Sequence, residues 1–141
     1  MATDANDFVR SMGIATSGLR AQAGRMRVIS ENIANADSTA ATAGGDPYRR
    51  KVPSFSSALD RTLDAKVVTL GRIRPDNSAF HVKYEPGNPG ADASGNVKYP
   101  NVNPLVEMTD MREAQRSYEA NLNIIGATRR MIQRTLDILK A

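Results

Sequence analysis

The sequence predicts a mainly α-helical fold with a small β insert (α+β), in which long heptad helices at the two ends of the chain pack together. Two observations carry this prediction. Apolar residues recur at alternating steps of three and four in residues 1–36 and again in residues 104–141, a period typical of helices that lie side by side. Residues 37–103 are instead rich in turn-forming residues and short alternating runs, which indicates a loop-rich, β-containing middle region.

The first helix carries an apolar seam along most of residues 1–36. Its large members are Phe8, Met12, Leu19, Met26, Ile29 and Ile33. A second apolar line, formed by Ile14, Ala21 and Val28, repeats every seven residues about a third of a turn from the seam. A helix in a lone pair needs one apolar face. We therefore expect Ile14 and Val28 to contact a neighbouring molecule.

The last helix repeats this arrangement after Pro104, a residue suited to the first turn of a helix. The predicted seam consists of Met108, Met111, Tyr118, Leu122, Ile125, Ile132, Leu136 and Leu139, with Gln115 and Arg129 as polar interruptions. A second line, Ile124, Met131 and Ile138, is again spaced by seven. These three residues are predicted to be inter-subunit contacts.

The middle region is predicted to begin with a loop over residues 37–53. Residues 54–65 could form a short helix, because Phe55, Leu59 and Leu63 recur every four residues. The runs "KVVTLGRI" and "FHVKY" predict strands, with residues 74–78 turning the chain between them. The stretch "EPGNPGADASGN" is rich in turn residues, and a short extended "VKYP" follows it.

Two asparagines, Asn32 and Asn35, mark the end of the first helix in the run "ISENIANADSTA". Asparagine tolerates the left-handed conformation that often ends a helix, so Asn35 is predicted to adopt it as a C-terminal cap. Asn32 lies almost one turn earlier. We expect its side chain to bond to a neighbouring helix or to the returning chain.

The composition excludes several kinds of chemistry. Without cysteine, the chain has no disulfide, thiolate metal site or cysteine nucleophile. His81, the only histidine, lies in an alternating run without partners at ligand spacing, so we expect an exposed strand residue. No phosphate-binding glycine motif or nucleophile elbow is present. We therefore expect a protein that is not an enzyme and uses no metal or cofactor.

The net charge of +4 is spread along the chain, with +1, +2 and +1 in the three segments. A nucleic-acid-binding protein usually concentrates its basic residues on one surface, so we expect no nucleic-acid partner. The only tight basic cluster is Arg49, Arg50 and Lys51. These residues either contact another subunit or form a solvated surface. No run approaches the ~18 apolar residues of a membrane span. The acidic start "MATDANDF" indicates no cleaved signal peptide.

The terminal helices are predicted to be weakly stable on their own. Gly13, Gly18 and Gly24 each cost the first helix about 1 kcal/mol, and both helices have apolar lines that a single pair leaves uncovered. We expect order to come from neighbours in an assembly, where the glycines would let backbones pack closely. The alternatives are a free-standing helical homo-oligomer, which would be fully helical by itself, and a basic nucleic-acid-binding helical protein.

Motifs at both ends of the chain resemble those of the bacterial flagellar basal-body rod proteins. The run "ISENIANADST" is similar to the N-terminal motif of that family, and "SYEANLNIIGATRRMIQRTLDIL" to its C-terminal signature. The runs "GGDPYRRK" and "YPNVNPLVEMTDM", with the short length, look like a proximal rod member. Asp37 and Ser38 depart from the Asn and Thr that are more usual there.

The resemblance implies a structural subunit of the rod, which crosses the periplasm and transmits torque to the hook. It implies export by the flagellar type III apparatus without cleavage. The partners it implies are other rod subunits, copies of this chain and that export apparatus. It also gives Asn32 and Asn35 a second expected role as inter-subunit contacts.

Overall fold

The computed structural model describes the backbone of residues 2–140 and the side chains of residues 6–140. Its helices are α1 (Ala2–Ala34) and α2 (Pro104–Lys140), and the strands between them are β1 (Lys51–Val52), β2 (Phe55–Asp60), β3 (Ala65–Leu70), β4 (Arg74–Pro75), β5 (His81–Tyr84) and β6 (Asn96–Tyr99). The predicted mainly α fold with a small β insert is confirmed. Met1 and Ala141, the outer limits of the predicted end segments, lie outside the described residues. No described helix has the length and apolar character that crossing a membrane requires.

The strands form three separate antiparallel pairs. Strand β2 pairs with β3 over six residues each, from Phe55 opposite Leu70 to Asp60 opposite Ala65. Strand β5 pairs with β6, and the short β1 pairs with β4. The strands predicted in "KVVTLGRI", "FHVKY" and "VKYP" are confirmed for residues 66–70, 81–84 and 97–99, which lie in β3, β5 and β6.

The short helix predicted over residues 54–65 is wrong, because most of this segment is strand β2. The four-residue spacing of Phe55, Leu59 and Leu63 matches a helix, but it does not show that a pairing partner follows. Residues 65–70 are rich in β-branched side chains and satisfy the backbone of β2 along its whole length.

A tight turn joins β2 to β3. The Asp60 carboxylate accepts hydrogen bonds from the backbone N–H groups of Thr62 and Leu63, at 2.9 and 3.2 Å. Asp64 adopts a left-handed conformation with φ of 47°, which aspartate tolerates better than most residues. The turn therefore has its own local chemistry, and Leu63 lies in it rather than on a helix face.

The turn predicted over residues 74–78 is partly wrong. Arg74 and Pro75 form β4 and pair with β1, so the chain remains extended there. The bend begins only at Asp76, whose carboxylate accepts a hydrogen bond from the Ser78 N–H at 2.9 Å.

The chain divides into two compact units. Unit 1 contains Met1–Met26, Ser54–Arg72 and Glu113–Ala141, and unit 2 contains Arg27–Pro53 and Ile73–Arg112. These units cut across the three sequence segments, because each long helix contributes residues to both.

In unit 1 the β2–β3 hairpin lies against α1. The Leu63 side chain sits against Gly13, and a Cβ atom at Gly24 would lie 2.7 Å from Leu70 Cδ2. Arg10 donates a hydrogen bond from Nε to the Leu63 carbonyl at 2.9 Å. Leu63 and Leu70 of the same chain therefore pack against these two glycines. Close packing of the glycines between molecules stays a prediction.

Candidate functional site

Unit 2 contains a buried polar cluster centred on Asn32, whose side chain is 1% exposed. Asn32 Nδ2 donates to the Lys51 carbonyl at 2.8 Å and to Glu107 Oε2 at 3.0 Å. Asn32 Oδ1 accepts from the Tyr48 hydroxyl at 2.8 Å and from the Lys51 N–H at 2.9 Å. All four hydrogen-bonding positions of the amide are therefore used. The expected bond from Asn32 to the returning chain is confirmed.

Glu107 lies beside Asn32 and is also 1% exposed. Its Oε1 accepts a hydrogen bond of 2.6 Å from Arg50 Nε. The Arg50 guanidinium also lies 3.5 Å from Asp76 and 4.0 Å from Asp110. A carboxylate this deeply buried requires a charged partner, and Arg50 supplies it. The bond ties the first turn of α2 to the segment before β1.

Asn101 extends the cluster towards β4 and the bend after it. Its Oδ1 accepts a hydrogen bond from the Arg50 N–H at 2.8 Å. Its Nδ2 donates to the Asp76 carbonyl at 2.9 Å and to Ser78 Oγ at 2.8 Å. We call Asn32, Arg50, Asn101 and Glu107 the polar node. It connects α1, the β1 segment, the bend and the start of α2 within unit 2.

The structure gives each residue of the basic triplet a partner in its own chain. Arg50 belongs to the polar node. Arg49 donates to the Asp76 carbonyl at 3.0 Å and lies 4.2 Å above the Phe80 ring. Lys51 forms an ion pair with Glu31.

A cleft of about 740 Å³ in unit 2 brings together four of the predicted contact residues, Val28, Asn35, Arg49 and Lys51. Arg27 and Arg74 line the same cleft. The cleft is therefore mainly basic, with Glu31 as its acidic member.

Asn35 does not adopt the left-handed cap conformation that we expected. Among the described non-glycine residues, only Asp64 has a positive φ. The end of α1 is instead satisfied by successive tight turns, in which Ala36 N–H donates to the Ile33 carbonyl and Ser38 N–H to the Asn35 carbonyl, each at 3.2 Å. Asn35 Nδ2 caps the helix differently, by donating to the Glu31 carbonyl at 2.8 Å.

Burial, hydrogen bonds and charges around the polar node shift three pKa values. Burial lowers the pKa of Arg50, but the hydrogen bond and charge of Glu107 together with Asp76 and Asp110 outweigh it, so the pKa is raised. Hydrogen bonds from Ser78 lower the pKa of Asp76, with help from Arg50. Burial, with the charges of Glu31 and Glu107, raises the pKa of Tyr48 to about 12.

Tyr48 should therefore ionise late in an alkaline titration. Since its pKa is raised in the folded chain, the stability that it contributes is present below its ordinary pKa of about 10 and is lost as the pH rises through about 12. Absorbance titration of the phenolates should show a component near pH 12 that Tyr48→Phe removes. Tyr99→Phe should leave that component in place. A component near pH 12 that persists in Tyr48→Phe, with the lost phenolate coming from the ordinary range near pH 10, would contradict this assignment.

The buried line of α2 differs from its predicted seam. Glu107, Ala114 and Thr128 are each at most 1% exposed and are spaced by seven or fourteen residues. This line passes one residue before Met108, Gln115, Leu122 and Arg129. The face that α2 turns towards its own chain is therefore made of small and polar side chains.

Large apolar residues of α2 remain exposed on both sides of that line. On one side are Met108, Leu122 and Leu136, and on the other are Ile124, Met131 and Ile138, with Leu139 at the end of the helix. Met131 is 47% exposed and Ile138 is 76% exposed. The seam residues Met111, Tyr118, Ile125 and Ile132 are half-buried. The apolar surface of α2 thus extends well beyond what its own chain covers.

The apolar side chains of α1 are buried by their own chain to a greater extent than those of α2. Val28 and Ile29 are buried, and the seam residues Phe8, Met12, Leu19, Met26 and Ile33 are half-buried. Ile14, from the predicted second line, is exposed. Of the two α1 residues predicted as apolar inter-subunit contacts, Ile14 is therefore open to a neighbour and Val28 is enclosed by its own chain.

Sequence reasoning missed Glu107, Asn101 and Tyr48. The one available signal was an acid inside the apolar run "PLVEM" at the start of a helix. Such a residue suits the positive end of a helix dipole, which explains it without any partner. Its pairing with Arg50 depends on a fold that brings together residues 57 positions apart.

A helix with two uncovered apolar lines, bonded to α1 through a buried polar node in unit 2, is typical of a subunit of a larger helical assembly. The family models agree with this class. Residues 12–41 match the family described as flagella basal body rod protein, and residues 93–138 match the flagellar basal body rod FlgEFG protein C-terminal family.

Characterised relatives specify the family. The chain is 53% identical over 128 residues to the flagellar basal-body rod protein FlgC of Agrobacterium fabrum, covering 91% of this chain and 92% of that protein. It is 40% identical over 145 residues to FlgC of Bacillus subtilis, covering 92% and 97%. For Aquifex aeolicus FlgC the identity is 36% over 134 residues, covering 95% and 98%. The chain belongs to the FlgC family of flagellar basal-body rod proteins. It is a structural subunit of the basal body rather than an enzyme.

Proposed function

We propose that this chain is a proximal rod subunit that assembles through its terminal helices into the tubular drive shaft of the flagellum. The observation that carries the proposal is the pair of uncovered apolar lines on α2, Met108/Leu122/Leu136 and Ile124/Met131/Ile138. Burying one such side chain is worth about 1.5–3 kcal/mol. A neighbour on each side of α2 therefore supplies stabilisation that the chain alone lacks.

The polar node has a different role in this proposal. Asn32, Arg50 and Glu107 fix the start of α2 against α1 within unit 2, so that torque passes through a hydrogen-bonded region. Val28 and Lys51 belong to the same unit: Val28 is buried there, and the Lys51 backbone bonds to Asn32. Ile14 and the exposed lines of α2 make the direct contacts with neighbouring subunits. Asn35 and Arg49 are available to a neighbour through the basic cleft of unit 2.

The proposed partners are copies of this chain and other rod subunits. Membership of the rod-protein family supports export through the flagellar type III apparatus to a rod that spans the periplasm. The evenly spread charge supports neither a nucleic-acid partner nor membrane insertion.

Met131→Asp tests the exposed line directly. The substitution places a charge on a surface that must be buried in the rod, so we expect no rods and no motility while the amount of protein stays normal. The measurement is complementation of a strain that lacks the gene, scored by swimming and by electron microscopy of basal bodies.

Asn123→Asp is the matched control. Asn123 is an exposed polar residue of the same helix, and its replacement adds the same charge away from the apolar lines. We expect normal rods from this variant. Normal rods from Met131→Asp as well would refute a packed role for the exposed line.

A further inference from the structure

Unit 1 contains an uncharged cleft of about 540 Å³ that neither the fold nor the polar node explains. Its walls include Ile14, Phe55 and Val68, all of them exposed. Its base includes Gly18 and the polar side chains Gln22 and Asn121. An uncharged site with an apolar rim favours an apolar occupant, because a charge would lose its hydration there without gaining a partner.

Gln22 shows that the hydrogen bonding of the cleft is incomplete. Its Oε1 is buried and accepts no hydrogen bond from the described part of the chain. Leaving such an acceptor unmet costs about 1–3 kcal/mol. A polar group carried by an incoming segment can meet it after rotation of the amide, so this atom is a second indication that the cleft receives a partner.

The end of α2 has the properties that the cleft requires. Every residue from 133 to 140 is exposed, including the large apolar Leu136, Ile138 and Leu139.

The end of α2 cannot enter the cleft of its own chain. Asn121 lines the cleft, and Leu136 follows it by fifteen residues of continuous helix. At 1.5 Å per residue, this separation is about 23 Å along the axis. An occupant from this segment must come from a second molecule.

We propose that the C-terminal end of α2 of one copy, through Leu136, Ile138 and Leu139, docks in the Ile14/Phe55/Val68 cleft of the next copy. This inference rests on the proposed function and names one contact within the rod. The start of α2 is a poorer occupant although Leu105 is exposed. There Glu107 is buried in the polar node, and the Leu105 N–H is held by Asn103. Because the two docking surfaces differ, the contact is head-to-tail and repeats around a ring or along a helix.

Cysteine cross-linking tests the contact, since the chain has no cysteine of its own. The double variant Phe55→Cys/Ile138→Cys is assembled into basal bodies and treated with a short bifunctional maleimide. We expect a ladder of dimers, trimers and larger products, whereas either single variant should stop at dimers. The matched control is Phe55→Cys/Gln133→Cys, which moves the second cysteine to the polar face of the same turns and should give little product.

The outcomes separate this inference from the proposed function. A ladder from the Ile138 pair alone supports the contact. Normal rods without a ladder, or equal products from both pairs, overturn it and leave the proposed function standing. If the double variant alone does not assemble, the two single variants are expressed together with the parent chain. A cross-linked dimer of the two is then expected, and its absence from complete rods overturns the contact.

Discussion

Replacing Glu107 by alanine is expected to lower the free energy of unfolding of unit 2 by about 3–5 kcal/mol. The carboxylate is buried and accepts hydrogen bonds from Arg50 Nε and from Asn32 Nδ2. Its loss leaves the Arg50 guanidinium with only the more distant Asp76 and Asp110, and leaves one Asn32 N–H without an acceptor. Such a change is comparable with the whole stability of many small domains.

Glu113→Ala is the matched control for this prediction. Glu113 is on the same helix and also faces an arginine, Arg25, at 3.5 Å, but its side chain is 66% exposed. An exposed pair of this kind contributes at most about 1 kcal/mol. The measurement is amide hydrogen exchange of the full chain, read in residues 27–53 and 73–112 for Glu107→Ala and in residues 6–26 and 113–140 for Glu113→Ala. Equal acceleration of exchange by Glu107→Ala and Glu113→Ala would show that the buried pair has no special importance.

Replacing Asn32 by aspartate should destabilise unit 2 by about 3 kcal/mol or more at neutral pH, although the two side chains have the same shape. The variant loses the two N–H donors to Lys51 and Glu107. It also places a carboxylate at the position of an atom that lies 3.0 Å from Glu107 Oε2. Two like charges at that distance in a buried site repel strongly.

The stability of the Asn32→Asp variant should depend on pH differently from the stability of the parent chain. In the parent chain the pKa of Asp76 is lowered, so the stability that Asp76 contributes is present above its unfolded pKa and is lost as the pH falls. In the variant, protonation of the introduced carboxyl removes the repulsion. Its deficit relative to the parent should therefore shrink as the pH falls, as measured by urea unfolding at a series of pH values.

Asn35→Asp is the control for that experiment. Asn35 is half-buried, and its side chain makes one hydrogen bond, to the Glu31 carbonyl. A negative charge near a helix C-terminus costs about 0.3–1 kcal/mol. If Asn35→Asp were as damaging as Asn32→Asp, the fully bonded amide would not be what distinguishes Asn32.

The helices could be predicted from the sequence because their determinants are local. The apolar repeat gives the extent of α1, and Pro104 gives the first residue of α2. The strands β3, β5 and β6 are also local runs with clear composition. The segment 54–65 was mispredicted because its four-residue spacing and its pairing with β3 point to different structures. Here the pairing with β3 decides the structure of the segment.

The candidate site was only partly predictable. Asn32 stood out as an unusual residue near a helix end, and its bond to the returning chain followed from that position. The identity of the partners did not follow, since Glu107 is 75 residues away along the chain. One exposed line of α2, Ile124/Met131/Ile138, was visible as a second stripe, whereas Met108, Leu122 and Leu136 of the other line belong to the predicted seam. The line of α2 that its own chain covers contains the small residues Ala114 and Thr128. A pattern of large apolar side chains does not indicate such a line.

Unit 2 and the end of α2 are stabilised in different ways. Unit 2 is held by buried hydrogen bonds and one buried ion pair, so its order depends on its own residues. The end of α2 in unit 1 presents large apolar side chains to solvent, so we expect its order to depend on neighbours. We propose that such a subunit keeps a defined region during assembly and that the end of α2 becomes stable only in the rod.

Hydrogen exchange of the end of α2, before and after assembly, tests the central claim most directly. In the isolated full-length chain, amides of residues 133–140, all of them exposed, should exchange at rates close to those of an unfolded peptide. In purified rods they should be slowed about 100-fold or more, which corresponds to nearly 3 kcal/mol of added local stability. Full protection of these amides in the isolated, monomeric chain would contradict the claim that neighbours are needed to cover them.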